Sequence, residues 1–390
     1  MKTRIFRYLK HISVTVLVIL LAGIAFVLSL HGSLHYGDDP IIKRWNNDGP
    51  YVFFTNDSIL QVSYVTGNRD DGYRDTSYDC SADSNTWLSS HFNLDGSHFD
   101  FEITTEIETP AFYYDDGEDI LAISDIESGY RTFRDFLIAQ EVINDRLEWI
   151  FGKGHLVLNG DFVDRGFSTT QVLWLIYKLE KEARLKGGNV HFVLGNHEIK
   201  LLQGNYGKSS LKYFYVAAIL GKQQFELYDN NSLMGRWLAS KNTLELINGN
   251  LFVHGGLHPD LANHPISLAS VNQIVRENYR RAYFPKKEDA LEDLLVSTTK
   301  GPSWYRGYFK NEISMTEIDG CLDLFGAKAV IVGHTIQGKV KSMHEGKVYS
   351  IDVNHPKDYQ HHWPVRASEG LFISGGKYYR AFSDGKRTEI

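Results

Sequence analysis

The hydrophobic pattern divides the chain into three stretches. Ile12 to Leu30 (ISVTVLVILLAGIAFVLSL) is an unbroken run of 19 residues without a charge. At about 1.5 Å per helical residue, a run of this length matches the thickness of a bilayer core, so it predicts a transmembrane helix over 12–30. Lys2, Arg4, Arg7 and Lys10 precede it and Asp38 and Asp39 follow it. By the positive-inside rule, residues 1–11 form a cytoplasmic tail and the rest of the chain lies outside. A cleaved signal peptide is the alternative. Its apolar region would be only about 7–15 residues and would close on a small-residue cleavage site, whereas this run ends at Leu-Ser-Leu-His.

Residues 31–118 begin as a polar connector. They continue with short alternating runs such as Ile59–Val65 and Phe99–Thr104, which predict strands separated by turns. This β-rich extension carries no motif. Tyr113–Asp119 is acidic but lacks the ligand spacing of a calcium loop, and it reads as a solvated turn. From 119 to 390 the pattern changes to short apolar β runs alternating with helical ones, the form of a layered α/β domain. The predicted strands are Leu121–Ile123, His155–Leu158, Val190–Leu194, Leu251–Val253 and Ala329–Val332, with Lys347–Val353 and Leu371–Phe382 near the end. Amphipathic spacing predicts helices over Thr132–Phe151 and Thr169–Lys186.

Composition narrows the choices. The chain has 390 residues, and 43% hydrophobic with 23% charged residues is ordinary for a globular protein. A formal charge of -7 argues against a binder of nucleic-acid polymers, which needs a basic footprint. A phosphorylated ligand would need a local positive site, and metal ions would supply one. Cys80 and Cys321 fit no zinc motif and read as unpaired thiols, a disulfide being the alternative outside the cytoplasm. No feature sets an oligomeric state.

The chemistry lies where the strands stop. Each of the five strands is followed at once by polar residues: Ser124-Asp-Ile-Glu127, Gly160-Asp-Phe-Val-Asp-Arg-Gly166, Gly195-Asn-His-Glu198, His254-Gly-Gly-Leu-His258 and Gly333-His-Thr335. One such residue is ordinarily a turn or a cap. Five at carboxyl ends of strands, where open α/β sheets bind ligands, predict a site. Carboxylates, an Asn carbonyl and imidazoles suit divalent Mn, Fe or Zn, and two such ions can clamp an in-line phosphoryl displacement.

These residues resemble a known family. Gly160-Asp-x-x-Asp-Arg-Gly166 with Gly195-Asn-His-Glu198 resembles the calcineurin-like metallophosphoesterases, and the Arg and Glu point to their phosphoprotein phosphatase branch. Gly301–Tyr308, Val253–Leu257, Val332–Thr335 and Ile351–Val353 resemble the bacterial Shewanella-like phosphatases within it. The resemblance implies a four-layer α/β/β/α sandwich and two metals, with Asp125, Asp161 and His334 holding one and Asp161, Asn196 and His254 the other. It further implies that Asp164 orients His197 as general acid, that Arg165 and Arg306 grip the phosphate, and that a hydroxide between the metals attacks it. The expected function is a membrane-anchored phosphomonoesterase, with phosphoprotein among its substrates, facing the periplasm from a bacterial inner membrane. A dinucleoside-tetraphosphate or nucleotide hydrolase is the alternative enzyme. A pseudoenzyme that binds phosphate without turnover is the alternative outside catalysis.

The pattern departs from the family in one place. Where the family has Asp-x-His, this chain has Asp125-Ile126-Glu127. Glu127 is expected to ligate the first metal, and the added negative charge ranks Mn²⁺ ahead of Fe, Zn or Mg. His258, beyond two glycines, is expected to have a supporting or surface role. Selection of the substrate is expected from Ile199–Tyr228 and Tyr279–Phe309, with Tyr206, Tyr213, Tyr215, Tyr305 and Tyr308 as a candidate aromatic rim.

Overall fold

A computed structural model describes residues 2–29, 34–36, 45–280, 291–310 and 312–390. Most of the predicted connector over Leu34–Trp45 and part of the Tyr279–Phe309 stretch lie outside them. The chain forms two compact units. The smaller, drawn from residues 1–38 and 359–366, contains a helix over Lys2–Ser29 and an antiparallel pairing of Leu34–Tyr36 with His361–Trp363. Its Arg4–Ser29 portion is long and apolar enough to cross a membrane or to act as a secretion signal.

The larger unit spans 39–358 and 367–390. Its strands build two six-stranded sheets. The first runs Asn189–Phe192, His155–Leu158, Ile120–Ile123, Glu369–Ser374, Lys377–Phe382, Arg387–Glu389. The second runs Lys341–Met343, Val348–Ser350, Ala329–Val332, Asn250–Val253, Leu244–Ile247, Tyr113–Tyr114. Central strands such as Ile120–Ile123 and Ala329–Val332 are apolar at every position because both faces are buried. Ala122, Val157 and Leu371 of the first sheet share one core with Phe252, Ile331 and Tyr349 of the second. The sheets therefore pack face to face, and helices such as Thr169–Leu185 and Leu268–Asn278 cover them in the expected four layers.

The β-rich extension is a three-stranded sheet (Asn47–Asn56, Ile59–Asn68, Gly72–Ser81) and a hairpin (Thr86–His91 with His98–Ile103). It belongs to the larger unit. The Trp174 indole donates to the Pro50 carbonyl at 2.8 Å, and Lys212 Nζ lies 2.7 Å from Asp48 Oδ1 with both side chains buried. Removing one partner of a buried pair strands the other charge, so Lys212→Met should destabilise the fold by about 3–5 kcal/mol. Urea unfolding measures this, and a loss below about 1 kcal/mol would show that the pair does not tie extension to domain.

The helix predicted over Thr132–Phe151 stops early, at Tyr130–Ala139. The chain leaves the helix at Glu141, whose φ is 59°, and the Asn144 side chain then accepts from the Arg146 and Glu148 amides and closes a tight turn between Ile143 and Trp149. Short polar side chains compete for backbone groups in this way. The Leu371–Phe382 run divides at Gly375-Gly376, both with positive φ, into a hairpin. Cys80 and Cys321 are both free thiols.

Candidate active site

All five motif loops meet at one end of the two sheets. Asp125, Asp161, Asp164, Arg165, Asn196 and His197 follow strands of the first sheet, and His254 and His334 follow strands of the second. Asn159, unremarked in the sequence, joins the two sides. Its amide donates to the Val253 and Ile331 carbonyls at 3.2 Å each, and its own carbonyl accepts from His254 Nδ1 at 2.7 Å. This fixes the His254 tautomer, leaving Nε2 to face Asp161 Oδ2 at 3.2 Å. Glu198 secures the neighbouring loop by accepting from the amides of Asp161, Phe162 and Gly195 at 2.8–2.9 Å.

The backbone is strained where the chemistry is. Asp125, Glu127, Asp161, Asp164, Arg165 and His334 all have φ between 51° and 66°. Non-glycine residues seldom occupy this left-handed region, and its cost is carried where side chains must be aimed. Gly333 has no room for a Cβ, which would collide with Ser124 Oγ and Asp125 Oδ2.

The residues present fit a metal. Asp161, His254 and His334 offer ligand atoms within 4.8 Å of one another. The Asn196 carbonyl oxygen faces Asp161 Oδ2 at 3.1 Å and His334 Nδ1 at 2.9 Å, while its nitrogen faces Lys200 Nζ at 3.0 Å. Acceptors turned on acceptors oppose one another unless a cation lies among them. A half-turn of the amide would let it donate to both, whereas with the oxygen inward the same atoms would suit a cation. Asp125 stands beside the group, its Oδ2 accepting from Ser124 Oγ at 2.5 Å and from the His334 amide at 3.1 Å.

Charges within the cluster are interdependent. Burial, then the negative charge of Asp161 with that of Glu127, raises Asp125 to about 7, although His254 opposes the rise. Burial works against ionised Asp161, but His254, His197 and His334 outweigh it and hold the carboxyl far below its usual range. Burial likewise opposes protonation of His254, yet Asp161 and Asp125 lift it to about 10. Burial, with His254 and Arg306 nearby, lowers His334 to about 2. Asp352, assigned no role from sequence beyond its motif, is buried in the wall, and burial and then Asp125 push its carboxyl well up.

Beside the cluster, His197 Nδ1 lies 2.7 Å from Asp164 Oδ2, and Asp164 Oδ1 accepts from Ser209 Oγ at 2.6 Å. The far ring nitrogen, Nε2, is 3.4 Å from Arg165 and 3.8 Å from Asp161. Arg306 donates to the His334 carbonyl at 2.5 Å and to Thr335 Oγ1 at 3.0 Å. Glu127 stands outside the acceptor cluster, with one oxygen on Arg165 and the other on Lys357. Asp125, Glu127, Asp161, Arg165, Asn196, His197, Arg306, His334 and Lys357 line a cavity of about 940 Å³, and Asp164 and His254 lie behind its wall. Of the five tyrosines expected at the rim, only Tyr305 lines it, joined by Trp304, while Tyr213 and Tyr308 are buried packing residues. His258 also lines the cavity and accepts from the Asp260 amide at 3.1 Å.

Buried His355 donates from Nε2 to the Ser124 carbonyl at 2.9 Å, and burial, with Lys357 close by, lowers it to about 3. An unfolded His titrates near 6.5, so below that pH the unfolded chain binds the additional proton and stability falls as pH falls. At pH 5 this amounts to about 2 kcal/mol. Urea midpoints at pH 7 and pH 5 should therefore differ less in His355→Gln than in wild type, and equal differences would refute the assignment.

The fold and the site together define a metal-dependent phosphoesterase. The family model for calcineurin-like phosphoesterases matches residues 119–338, and the chain belongs to that family; it is a phosphatase, a hydrolase of phosphoric esters. Among its relatives are Shewanella-like protein phosphatase 1 of Plasmodium berghei, 27% identical over 237 residues, and Shewanella-like protein phosphatase 2 of Arabidopsis thaliana, 24% identical over 296. These matches span 56% and 62% of this chain, and 61% and 72% of the relatives. The crystal structure of a cold-active protein-tyrosine phosphatase of a psychrophilic Shewanella species aligns with a TM-score of 0.77 at 28% identity, covering 89% of this chain and all of that one.

Proposed function

We propose that this protein is a membrane-anchored, dinuclear phosphomonoesterase that acts on phosphoprotein, with phosphotyrosine the first substrate to test. The observation that carries the reading is the cluster of acceptors around Asp161, adjoining a His197–Asp164 pair that faces the same cavity as Arg165 and Arg306. Asp125, Asp161 and His334 would hold one divalent ion, and Asp161, Asn196 and His254 a second. Bound there, such ions supply Lewis acidity toward the phosphoryl group and lower the pKa of water. Mn²⁺ suits the oxygen-rich donor set.

The side chains supply the rest. Arg165 and Arg306 present planar forks of donors to phosphoryl oxygens and hold the phosphorus in line. The Asp164 carboxylate keeps a proton of His197 on Nδ1 and fixes the ring, so Nε2 is the nitrogen placed to give a proton to the departing oxygen. Trp304 and Tyr305 on the cavity wall suit an aryl group, and the neighbour described as a tyrosine phosphatase supports that choice. The apolar N-terminal helix, with Arg4, Arg7 and Lys10 at its start, supports an anchor with the catalytic unit outside the cytoplasm.

The test is hydrolysis of p-nitrophenyl phosphate and a phosphotyrosyl peptide by the purified full chain loaded with Mn²⁺. Turnover of both is expected. Inactivity with Mn²⁺, Mg²⁺, Zn²⁺ and Fe²⁺ alike, with phosphate still bound, would leave the pseudoenzyme in its place.

A further inference from the structure

Next to Asp125, the cavity wall carries a charge arrangement in which the catalytic reading uses only Arg165. Glu127 is nearly buried, its side chain 11% exposed, and its two oxygens are divided between the Arg165 guanidinium and the Lys357 ammonium. All three side chains line the cavity. A carboxylate holding two cations leaves one net positive charge at that wall. A neutral imidazole in the same position would attract neither.

Lys357 is held in place by its backbone as well. On one side of it, His355 Nε2 donates to the Ser124 carbonyl at 2.9 Å. On the other, Asp358 accepts from the Arg131 and Thr132 amides at 2.9 and 3.1 Å, and Thr132 Oγ1 donates to the Pro356 carbonyl at 3.0 Å. Segment 355–358 is thereby fastened to both flanks of the loop that carries Glu127. A long lysine normally loses conformational entropy when it is fixed. Here the backbone and Glu127 have already restricted it, so little further ordering accompanies an anion that contacts it.

We propose that Glu127, where the family has histidine, holds Lys357 beside Arg165 as an added phosphate-binding residue, and that this cation biases the site toward dianionic phosphomonoesters over monoanionic diesters. The proposal rests on the phosphoesterase reading for the location of the phosphate. It assigns Glu127 to positioning the two cations, and the metals to Asp125, Asp161, Asn196, His254 and His334. A phosphate dianion between Arg165 and Lys357 makes charge-assisted hydrogen bonds to both, whereas a diester has lost one charge and one terminal oxygen to its second ester link.

The experiment uses the full chain loaded with Mn²⁺ and inorganic phosphate as the probe, with binding read by calorimetry and metal content by atomic emission. Lys357→Met should weaken phosphate binding at least tenfold with metal content unchanged, and Lys357→Arg should stay within threefold of wild type. Glu127→Gln should keep its metal and weaken phosphate severalfold. A Lys357→Met affinity within twofold of wild type would overturn the role of the lysine, and loss of a metal ion from Glu127→Gln would overturn that of the glutamate. Where the enzyme turns over, the ratio of kcat/KM for p-nitrophenyl phosphate to that for bis(p-nitrophenyl) phosphate should fall at least fivefold in Lys357→Met; an unchanged ratio refutes the bias. Phosphate binding is read without turnover, so an inactive wild type would defeat the catalytic reading, and the bias with it, and still decide the phosphate-binding role of Lys357 and Glu127. Folding of each variant is followed by its thermal midpoint, and the Arg variant keeps the test open if Met proves unstable.

Discussion

Asp161→Asn is expected to lower kcat/KM by at least about a thousandfold, about 4 kcal/mol of transition-state stabilisation. Asp161 Oδ2 lies 3.2 Å from His254 Nε2 and within 3.1 Å of the Asn196 carbonyl oxygen, and its other oxygen accepts from the His197 amide at 2.9 Å. It borders His254, His334, Asn196 and His197. Converting it to an amide removes the charge that keeps the surrounding imidazoles oriented and places a donor where a ligand is needed. The variant should also hold less metal than wild type after dialysis, measured by atomic emission. Two firmly bound ions with near-normal activity would remove Asp161 from the bridging position.

His197→Ala is expected to act on the leaving group. A positioned general acid contributes roughly 10²–10⁴-fold. That contribution is needed when the departing oxygen is basic, as in an alkyl or tyrosyl phosphate, and hardly at all for p-nitrophenolate. The variant should thus lose about a hundredfold or more on phosphotyrosine or an alkyl phosphate but far less on p-nitrophenyl phosphate, with similar metal content. A plot of log kcat against leaving-group pKa should steepen. Equal losses on all substrates would mean that His197 positions the phosphate. The Asp164–Ser209 bond suggests why the pair stays aligned: both carboxylate oxygens of Asp164 are used, one on the imidazole and one on the hydroxyl.

The chemistry was legible in the sequence because metal and phosphate sites demand particular residue types immediately after strands. Each of Asp125, Asp161, Asn196, His254 and His334 sits at a strand end or helix start that the apolar runs already marked. A layered α/β domain followed from the same runs, whose uninterrupted apolar character requires burial on both faces, while the stacking of two sheets was implied by the family resemblance. Local signals were weaker where a polar residue bonds its own backbone. Beyond the helix that ends at Ala139, Asn144 holds a tight turn where amphipathic spacing would have continued the helix, and no periodicity reports that competition.

Long-range partners left no mark in the sequence. Glu127 read as a candidate ligand because its position in the motif is a ligand position. Its pairing with Lys357 spans 230 residues of chain and depends on His355 and Asp358 fastening a loop from the far end of the domain. Asn159 and Ser209 were equally silent, since a single polar residue gains its partners only when two sheets or two loops meet. The attachment of the β-rich extension through Asp48 and Lys212 is of the same kind. The sequence by itself determined where the central strands form, which of their ends carry residues suited to phosphoester chemistry, and that the N-terminal run is apolar enough for a bilayer. Only the tertiary structure decided which charges face one another, because electrostatic partnership is set by distance in space and by the burial that removes water from between the charges.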